Sequence, residues 1–404
     1  MKMRFAARQH KPTANPGLWL GLAMGLLLVP QAHSTNGYSP TGFGTANKGL
    51  VGAGVALPQD TLAAATNPAG MALLGHRLDV GAALFNPNHG FTANDDAQTP
   101  PFPSVPPGRY ESQNNLFLIP HFGWNRPLDD KSSFGVSIGG NGGMNTDYDA
   151  AVWRNFDNPA GSASSPTGVD FAQLFVGFTY SREVAPGHYL GITPILAAQR
   201  FRAEGLEPFQ GLSTSPTRVT NNGYDYAWGY GLRVGWLGQL SDRLTLGASA
   251  QTRLEMTRFK DYEGLFAEQG DFDTPATITA GLAYEVTPSV TLVFDWQRIF
   301  FGDVNALGNS NNLVLGPDNL LGADNGLGFG WDDINIYKLG VQWEYSPQWT
   351  FRAGYSHADQ LFENGESLFN VLAPATIQSH ASLGLTYRVD KRNSVSVAYT
   401  RAFP

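Results

Sequence analysis

The chain has 404 residues, a formal net charge of −8 at pH 7 and no cysteine. The missing cysteine excludes disulfides and thiolate chemistry, and the negative charge disfavours a nucleic-acid partner. Charged residues make up 15% of the chain, against about 25% of a typical soluble protein, so the composition argues against two or three soluble domains.

The first 34 residues have the pattern of a secretory signal peptide. Four basic residues precede residue 12, an apolar run extends from Leu18 to Pro30, and the small residues Ala32 and Ser34 follow. The apolar run is shorter than the about 20 residues that a membrane-spanning helix needs. We therefore predict a signal peptide over residues 1–34, and we expect any later membrane crossing to use strands.

Residues 35–75, called the hatch segment below, fit neither a signal nor a series of strands. The segment is rich in glycine and alanine and contains the run Asn67-Pro68-Ala69-Gly70. It is too long for a spacer and too poor in large apolar residues to form a core of its own. At the head of a barrel-forming chain, such a segment predicts a plug and indicates gated transport rather than an open pore.

From residue 77 onward, apolar residues alternate with polar or small ones, which is the period of a β-strand. Between Leu244 and Met256, for example, one face is mostly apolar and the other carries polar side chains and glycine. The pattern predicts thirteen strands: 77–94, 112–126, 132–148, 170–184, 188–204, 224–239, 243–260, 273–286, 289–300, 333–346, 349–360, 376–389 and 393–403.

Short turns and long loops alternate along this series. The long loops are 95–111, 149–169, 205–223, 261–272, 301–332 and 361–375. Tight turns on one side and long loops on the other are typical of a transmembrane barrel, as are aromatic residues near the strand ends. We therefore predict an all-β fold, a transmembrane antiparallel β-barrel over residues 76–404. A soluble β-sandwich or a propeller is the alternative.

The predicted number of strands is odd, which does not fit this fold. Bacterial single-chain barrels have even strand counts, and an open sheet edge in lipid leaves unpaired backbone groups that cost several kcal/mol each. Either one strand escapes the pattern or the chain lacks its last loop and closing strand. We expect the second.

At the head of the predicted barrel, four features in a row resemble one known family. They are the run from Asn36 to Gly44, the glycines from Gly49 to Gly54, Asp60, and Asn67-Pro68-Ala69-Gly70. The chain resembles the FadL family, outer-membrane transporters of long-chain fatty acids and related hydrophobic compounds. The resemblance implies a fourteen-stranded barrel in the outer membrane of a Gram-negative bacterium, plugged by an N-terminal hatch. It implies hatch and gating roles for Asp60, Asn67, Pro68, Ala69 and Gly70.

The family also has a kinked third strand that opens a side passage in the barrel wall. The third predicted strand contains Gly139, Gly140, Gly142 and Gly143 around Asn141. Glycine inside a strand marks a bulge or a bend. We therefore predict that these four glycines form a lateral opening; a merely flexible strand end is the alternative.

The long loops are unusually apolar for a sugar or ion porin, and contiguous exposed apolar surface often marks a binding site. We predict that the loops capture a hydrophobic ligand, with loops packing on one another as the alternative. The residues predicted to capture it are Leu315, Leu321, Phe329, Trp331, Phe362 and Phe369.

A fatty acid carries a carboxylate, which needs a partner inside a barrel of low dielectric. Arg253 and His380 fall on the polar faces of the seventh and twelfth predicted strands, so either could pair with it. The alternative is that Arg253 pairs with Glu255 or another acid of the protein.

The sequence thus predicts passive uptake of long-chain fatty acids or similar hydrophobic compounds, by loop capture, hatch gating and lateral exit. An aromatic-hydrocarbon or xenobiotic channel of the same family is one alternative, and a lipase-type outer-membrane enzyme or an adhesin is another. Gly135–Gly139 matches G-x-S-x-G but lies within strand alternation, whereas a nucleophile elbow needs a strand, a turn and a helix, so we predict no enzyme.

We expect no cofactor, no metal and no nucleic-acid partner. The expected partners are the hydrophobic ligand, outer-membrane lipid, lipopolysaccharide and the barrel assembly machinery, with the protein itself a monomer.

Overall fold

The alternating residues form one long antiparallel sheet. The computed structural model describes residues 35–94, 103–154, 164–312 and 315–403, so the predicted signal peptide lies outside it. The strands of the sheet are β3 (Arg77–Phe85), β6 (Phe117–Pro127), β7 (Ser132–Tyr148), β8 (Thr167–Ala185), β9 (His188–Glu204), β10 (Asp225–Gln239), β11 (Leu244–Gln251), β13 (Thr277–Thr287), β14 (Val290–Ile299), β15 (Ile334–Glu344), β16 (Trp349–Ala358), β17 (Ser379–Arg388) and β18 (Ser394–Phe403).

Shorter elements lie around this sheet. The remaining strands are β1 (Thr35–Asn36), β2 (Ser39–Pro40), β4 (Gly90–Ala93), β5 (Gly108–Glu111) and β12 (Glu255–Met256). The α-helices are α1 (Thr45–Lys48), α2 (Ala267–Gly270), α3 (Asn305–Gly308) and α4 (Ser367–Asn370). The 3-10 helices are Thr61–Ala65, Pro68–Leu73, Glu207–Leu212, Pro216–Arg218, Lys260–Tyr262, Phe301–Asp303 and Pro317–Asn319. None of the helices in the described ranges is long and apolar enough to cross a membrane.

Each long strand pairs with the long strand before it, so the sheet follows chain order from β3 to β18. Within the described residues, these two strands are the edges of the sheet. Two predicted strands, 77–94 and 243–260, are wrong in extent. The first leaves the sheet after Phe85, and β4 pairs with β5 in a separate hairpin; the second is divided into β11 and β12, which both pair with β10.

The two faces of the sheet have opposite polarity. On β8, Leu174, Phe178 and Tyr180 point outward and are exposed, while the alternate residues Gln173 and Ser181 point inward and are buried. Exposed apolar and buried polar side chains are the arrangement of a barrel whose outer surface meets hydrocarbon.

The hatch segment is held against the inward face of the sheet by buried charges. The carboxylate Oδ2 of Asp295 accepts the N–H groups of Gly54 and Val55 at 2.7 and 3.0 Å. Lys338 Nζ donates to the carbonyl of Thr41 at 3.1 Å. Asp295 and Lys338 are direct cross-strand partners on β14 and β15, and both are buried. This pair therefore anchors two separate stretches of the hatch segment.

The Asn67-Pro68 pair begins the 3-10 helix Pro68–Leu73 of the hatch segment and also ties it to the sheet. Asn67 Oδ1 accepts the N–H of Ala69 at 3.1 Å, as an N-cap residue does. Asn67 Nδ2 donates to the carbonyls of Val55 and Trp236 at 2.7 and 2.9 Å. Pro68 occupies the first helical turn, where its missing N–H costs no hydrogen bond.

Two glycines of the sheet make room for this motif. A Cβ on Gly191 of β9 would lie 2.3 Å from the backbone nitrogen of Ala69, and one on Gly235 of β10 would lie 2.0 Å from Asn67 Oδ1. Both distances are shorter than any real contact, so the hatch backbone approaches the wall only because these positions lack side chains.

Asp60 caps the 3-10 helix Thr61–Ala65 of the hatch segment in a crowded site. Its Oδ1 accepts the N–H of Leu62 at 3.0 Å, and a Cβ on Gly44 would lie 2.5 Å from its Oδ2. Burial, reinforced by the carboxylate of Asp79, raises the pKa of Asp60 to about 6, and the cations Arg77 and Arg352 oppose this rise.

Replacing Asp295 by alanine is expected to loosen the hatch segment while the sheet stays folded. The change removes the acceptor of two buried N–H groups and the counter-charge of Lys338, a type of loss that costs on the order of 3–5 kcal/mol. Hydrogen exchange of residues 50–58 should accelerate, while exchange in β17 should not change. Asp242→Ala, in the exposed turn between β10 and β11, is the control. Equal protection of residues 50–58 in both variants would contradict the anchoring role.

Docking of the 3-10 helix Thr61–Ala65 is expected to weaken as the pH rises through about 6, the pKa of the buried Asp60 carboxyl. A carboxyl group whose pKa is raised by docking favours the docked state fully below its undocked pKa of about 4, and this contribution is lost as the pH rises through the docked value. Protection factors of residues 61–66, corrected for intrinsic exchange, should therefore be larger at pH 5 than at pH 7.5. Asp60→Asn should remove this difference, and its persistence there would refute the assignment.

Candidate functional site

The glycine-rich part of β7 contains a β-bulge. Gly140 pairs with Leu174 of β8 and Gly142 pairs with Gln173, so Asn141 is one residue more than the partner strand supplies. The bulge also shifts the alternation: Ser137 and Met144 both point inward although seven positions separate them. The predicted bend therefore takes the form of one inserted residue.

Above the bulge, the barrel wall is not continuous. The ladder between β6 and β7 ends at the pair His121–Gly139. Within the described residues, the next backbone hydrogen bond between these two stretches is the one that the Gln113 N–H donates to the carbonyl of Asp147 at 2.8 Å. It lies beside an isolated bridge between Ser112 and Tyr148. We call the interruption between residues 117–120 of β6 and 140–146 of β7 the wall gap.

The hatch segment fills the inner side of the wall gap. The carbonyl of Tyr38 accepts the N–H of Gly143 at 3.2 Å, and a Cβ on Gly142 would lie 2.3 Å from the same oxygen. The Tyr38 ring is fully buried, and its centroid lies 5.6 Å from that of Phe171 and 5.6 Å from that of Phe301. Glycine at position 142 thus lets the hatch backbone lie directly against the interrupted wall.

The long loops fold into the outer half of the barrel and form an apolar cap, defined as residues 205–224, 257–276, 300–312, 315–333 and 359–378. Ring centroids of Phe266 lie 4.7 Å from those of both Phe201 and Phe272. Trp331 Nε1 donates to Asn370 Oδ1 at 2.7 Å and so joins two of the loops. The cap is a packed core rather than an open apolar surface.

This packing determines where the predicted capture residues lie. Leu321, Phe329, Trp331 and Phe369 are buried inside the cap, whereas Leu315 and Phe362 are half-buried against it. The four buried residues therefore fit the alternative prediction, that the loops pack on one another. A role for the six residues in ligand capture stays a prediction.

A polar cavity of about 50 Å³ lies between the hatch segment and the inward faces of β10 to β15. Arg233, Lys338 and Asp295 line it, together with Asn141 of the bulge. A second cavity, of about 20 Å³, is also bordered by Arg233. Since one water needs at least about 10–15 Å³, these two cavities have room for only a few waters.

Of the two predicted carboxylate partners, Arg253 is already paired. Its Nε donates to Asp273 at 2.5 Å, its Nη2 to Asp271 at 3.3 Å and its Nη1 to the carbonyl of Asp303 at 2.8 Å. The alternative prediction was that Arg253 pairs with an acid of the protein. The acids that it contacts are Asp271 and Asp273 rather than Glu255. His380 is buried, with its Nδ1 3.3 Å from Ser356 Oγ.

Sequence reasoning missed the charged residues that border the polar cavity. Arg233 donates to the carbonyl of Ala64 at 3.3 Å and to Gln251 Oε1. The available signal was a charge in the middle of a predicted membrane strand, which is costly unless it is paired and points inward. Arg233, Asp295 and Lys338 all show that signal.

Ser137 of the G-x-S-x-G match lies inside β7, and the residues that follow it directly continue the strand rather than begin a helix.

The comparisons with known proteins agree with this geometry. Residues 28–404 match the family described as outer membrane protein transport protein (OMPP1/FadL/TodX). The Pseudomonas putida toluene transporter TodX is 17% identical, with a TM-score of 0.66 over 89% of this chain and 92% of that one. A Pseudomonas aeruginosa FadL homologue is 17% identical, with a TM-score of 0.60 over 91% of both chains. The Ralstonia pickettii toluene transporter TbuX is 17% identical, with a TM-score of 0.60 over 90% of this chain and 99% of that one.

No curated protein matches the chain. The structural likenesses, at this identity, concern the fold alone, whereas the family match spans nearly the whole chain. Together they confirm the resemblance, the all-β barrel and the outer-membrane location that the sequence predicts. The chain belongs to the FadL/TodX family of Gram-negative outer-membrane transport proteins.

Proposed function

We propose that this protein carries hydrophobic compounds passively through the cap into the barrel and releases them sideways through the wall gap into the outer leaflet. The observation that carries the proposal is the interruption of the β6–β7 ladder at the Asn141 bulge, with Tyr38 lodged behind it. In this mechanism the hatch segment is the gate, and its first residues must leave the gap before a ligand passes.

The polarity around the wall gap favours a sideways route. Outside the gap, Leu84 and Leu118 are exposed by 71% and 68% and face the hydrocarbon. Below the gap, the inward positions are buried and polar, as at Ser137 and Thr179. An apolar ligand that leaves through the gap stays in apolar surroundings, since transfer costs about 25 cal/mol for each Å² of apolar surface exposed to water.

The height of the wall gap fits release into the outer leaflet. Gly139 is the eighth residue of β7, whose first residue is Ser132. Seven steps of about 3.3 Å along a strand tilted by about 40° raise the chain by about 18 Å. The apolar belt of such a barrel is about 25 Å tall, so the gap begins in its outer half.

Deleting Asn141 is expected to close the wall gap and reduce uptake at least tenfold. The deletion removes the extra residue, and because Ser137 and Met144 already point inward on either side, no later side chain changes face. The β6–β7 ladder can then continue past Gly139. Uptake of labelled oleate and labelled toluene would be measured in cells that lack their own transporters, with surface expression and heat-modifiable gel mobility confirmed.

Asn141→Ala is the matched control, because it removes the side-chain bond to Gln173 but keeps the residue count and the bulge. It should transport both compounds. Full uptake by a correctly inserted deletion variant would rule out lateral exit at this gap.

For the ligand, we propose long-chain fatty acids, and the support is the charge around the polar cavity. Arg233 and Lys338 supply two cations against the single carboxylate of Asp295. A ligand carboxylate would balance this excess, and a buried carboxylate requires such partners. A neutral aromatic hydrocarbon is the second candidate, favoured by the aromatic rings that contact Tyr38 and by the similarity to TodX and TbuX, which are toluene transporters.

Arg233→Gln is expected to lower oleate uptake several-fold at low oleate concentration and to leave toluene uptake unchanged, because only oleate carries a charge for Arg233 to balance. Arg253→Gln is the comparison variant, since Arg253 is occupied by Asp271 and Asp273. A selective loss of oleate uptake in Arg253→Gln would make that residue the carboxylate partner, as the sequence predicts. Equal effects on both ligands in every variant would favour a channel for neutral hydrocarbons.

A further inference from the structure

Two arginines point outward from the extracellular end of β9. The alternate residues Phe201 and Ala203 are buried inside, which places Arg200 and Arg202 on the outer surface. Below them the outward positions are Leu190, Ile192, Pro194, Leu196 and Ala198.

This apolar run fixes the height of the arginines in the membrane. From residue 190 to residue 198, eight steps of about 3.3 Å at a tilt of about 40° span about 20 Å of membrane depth, close to the about 25 Å height of the apolar belt. Arg200 and Arg202 are therefore the first outward-pointing charges on β9 above this apolar run. They lie at the level where the headgroups of the outer leaflet begin.

A tyrosine and an aspartate hold the two arginines in place. Arg200 Nη2 lies 3.0 Å from both carboxylate oxygens of Asp170, and the Tyr224 hydroxyl donates to Asp170 Oδ2 at 2.6 Å. The guanidinium carbons of Arg200 and Arg202 lie 4.6 and 4.9 Å from the centroid of the Tyr224 ring. One ring thus brings two positive groups together, at a cation–π distance from each.

Both guanidinium groups remain accessible from outside. The side chains of Arg200 and Arg202 are exposed by 42% and 36%, whereas Asp170 is exposed by only 14%. The carboxylate of Glu204 approaches Arg202 at 3.4 Å, longer than the about 2.7–2.9 Å of a strong charge-assisted bond. The cluster therefore presents cationic donors on its surface and keeps the Asp170 carboxylate beneath them.

We propose that Arg200 and Arg202 form a binding site for a phosphate group on a glycolipid of the outer leaflet. Guanidinium groups recognise phosphate by paired hydrogen bonds, and two of them at the headgroup level match the doubly charged phosphomonoester of such a lipid. The site faces the membrane rather than the lumen, so its ligand is a lipid. The inference rests on the outer-membrane location and does not depend on which compound is transported.

The test compares binding of lipid A with binding of chemically dephosphorylated lipid A to the purified full chain in detergent. Native mass spectrometry would be used, with chelator present to remove divalent cations that could bridge acidic groups. The native chain should bind lipid A at least tenfold more tightly than the dephosphorylated form. The Arg200→Gln/Arg202→Gln variant should bind both forms equally.

Two further variants make the result interpretable. Arg218→Gln is the matched control, because Arg218 is a similarly exposed arginine paired with Asp261 in a loop, and it should keep the native preference. Arg200→Gln/Asp170→Asn avoids leaving an unpaired carboxylate, so it should fold even if the double arginine variant does not, and it should lose most of the preference.

Three outcomes would overturn the proposal. The first is equal binding of the two lipids by the native chain. The second is a native-like preference in the folded arginine variants, which would make the cluster a purely structural ion-pair network. The third is complete displacement of lipid A by millimolar inorganic phosphate, which would make this a site for soluble anions rather than for lipid.

Discussion

The constraint on which the whole structure depends is that the outer surface of the sheet meets hydrocarbon. Every outward position between the two interfaces must be apolar, because a polar group there has no water to bond. Polar anchoring is therefore confined to the inward face, where it holds the hatch segment through Asp295, Lys338 and Asn67. Where the outward positions turn polar again, as at Arg200, the membrane has ended.

The same constraint links the bulge to the hatch segment. Interrupting the β6–β7 ladder frees backbone groups at membrane depth, and each one left unpaired away from water costs several kcal/mol. The N–H of Gly143 is satisfied by the carbonyl of Tyr38, a hatch residue. The hatch segment thus completes the hydrogen bonding of the wall as well as filling the lumen. If Tyr38 moves away, a water or a polar group of the ligand must take its place.

Much of the fold could be predicted from the sequence because the period of two is strong wherever one face meets lipid. The strand series, the alternation of short turns and long loops and the bend at Gly139–Gly143 all follow from local pattern. The ends of the strands were harder to predict, since residues 86–94 of the first predicted strand do not belong to the sheet. A charge in the middle of a membrane strand marks Arg233 and Asp295 as inward-pointing, but their role could not be predicted because their partners in the hatch segment, Ala64 and Gly54, lie far away in sequence.

If the hatch segment gates transport as proposed, simple energetics allow it to respond to a hydrophobic ligand without an energy source. Withdrawing Tyr38 breaks several ring contacts worth about 0.5–1.5 kcal/mol each and one hydrogen bond with a net value of about 0.5–1.5 kcal/mol, so opening costs only a few kcal/mol. Burial of each methylene group of a ligand contributes about 0.8 kcal/mol. Burial of a small aromatic ring therefore roughly offsets the free-energy cost of opening, and burial of a long acyl chain contributes more than that cost. Burial alone cannot choose between such ligands, so in the proposed mechanism selection falls to polar groups of the lumen, and Arg233 and Lys338 are the cations that border the cavity there.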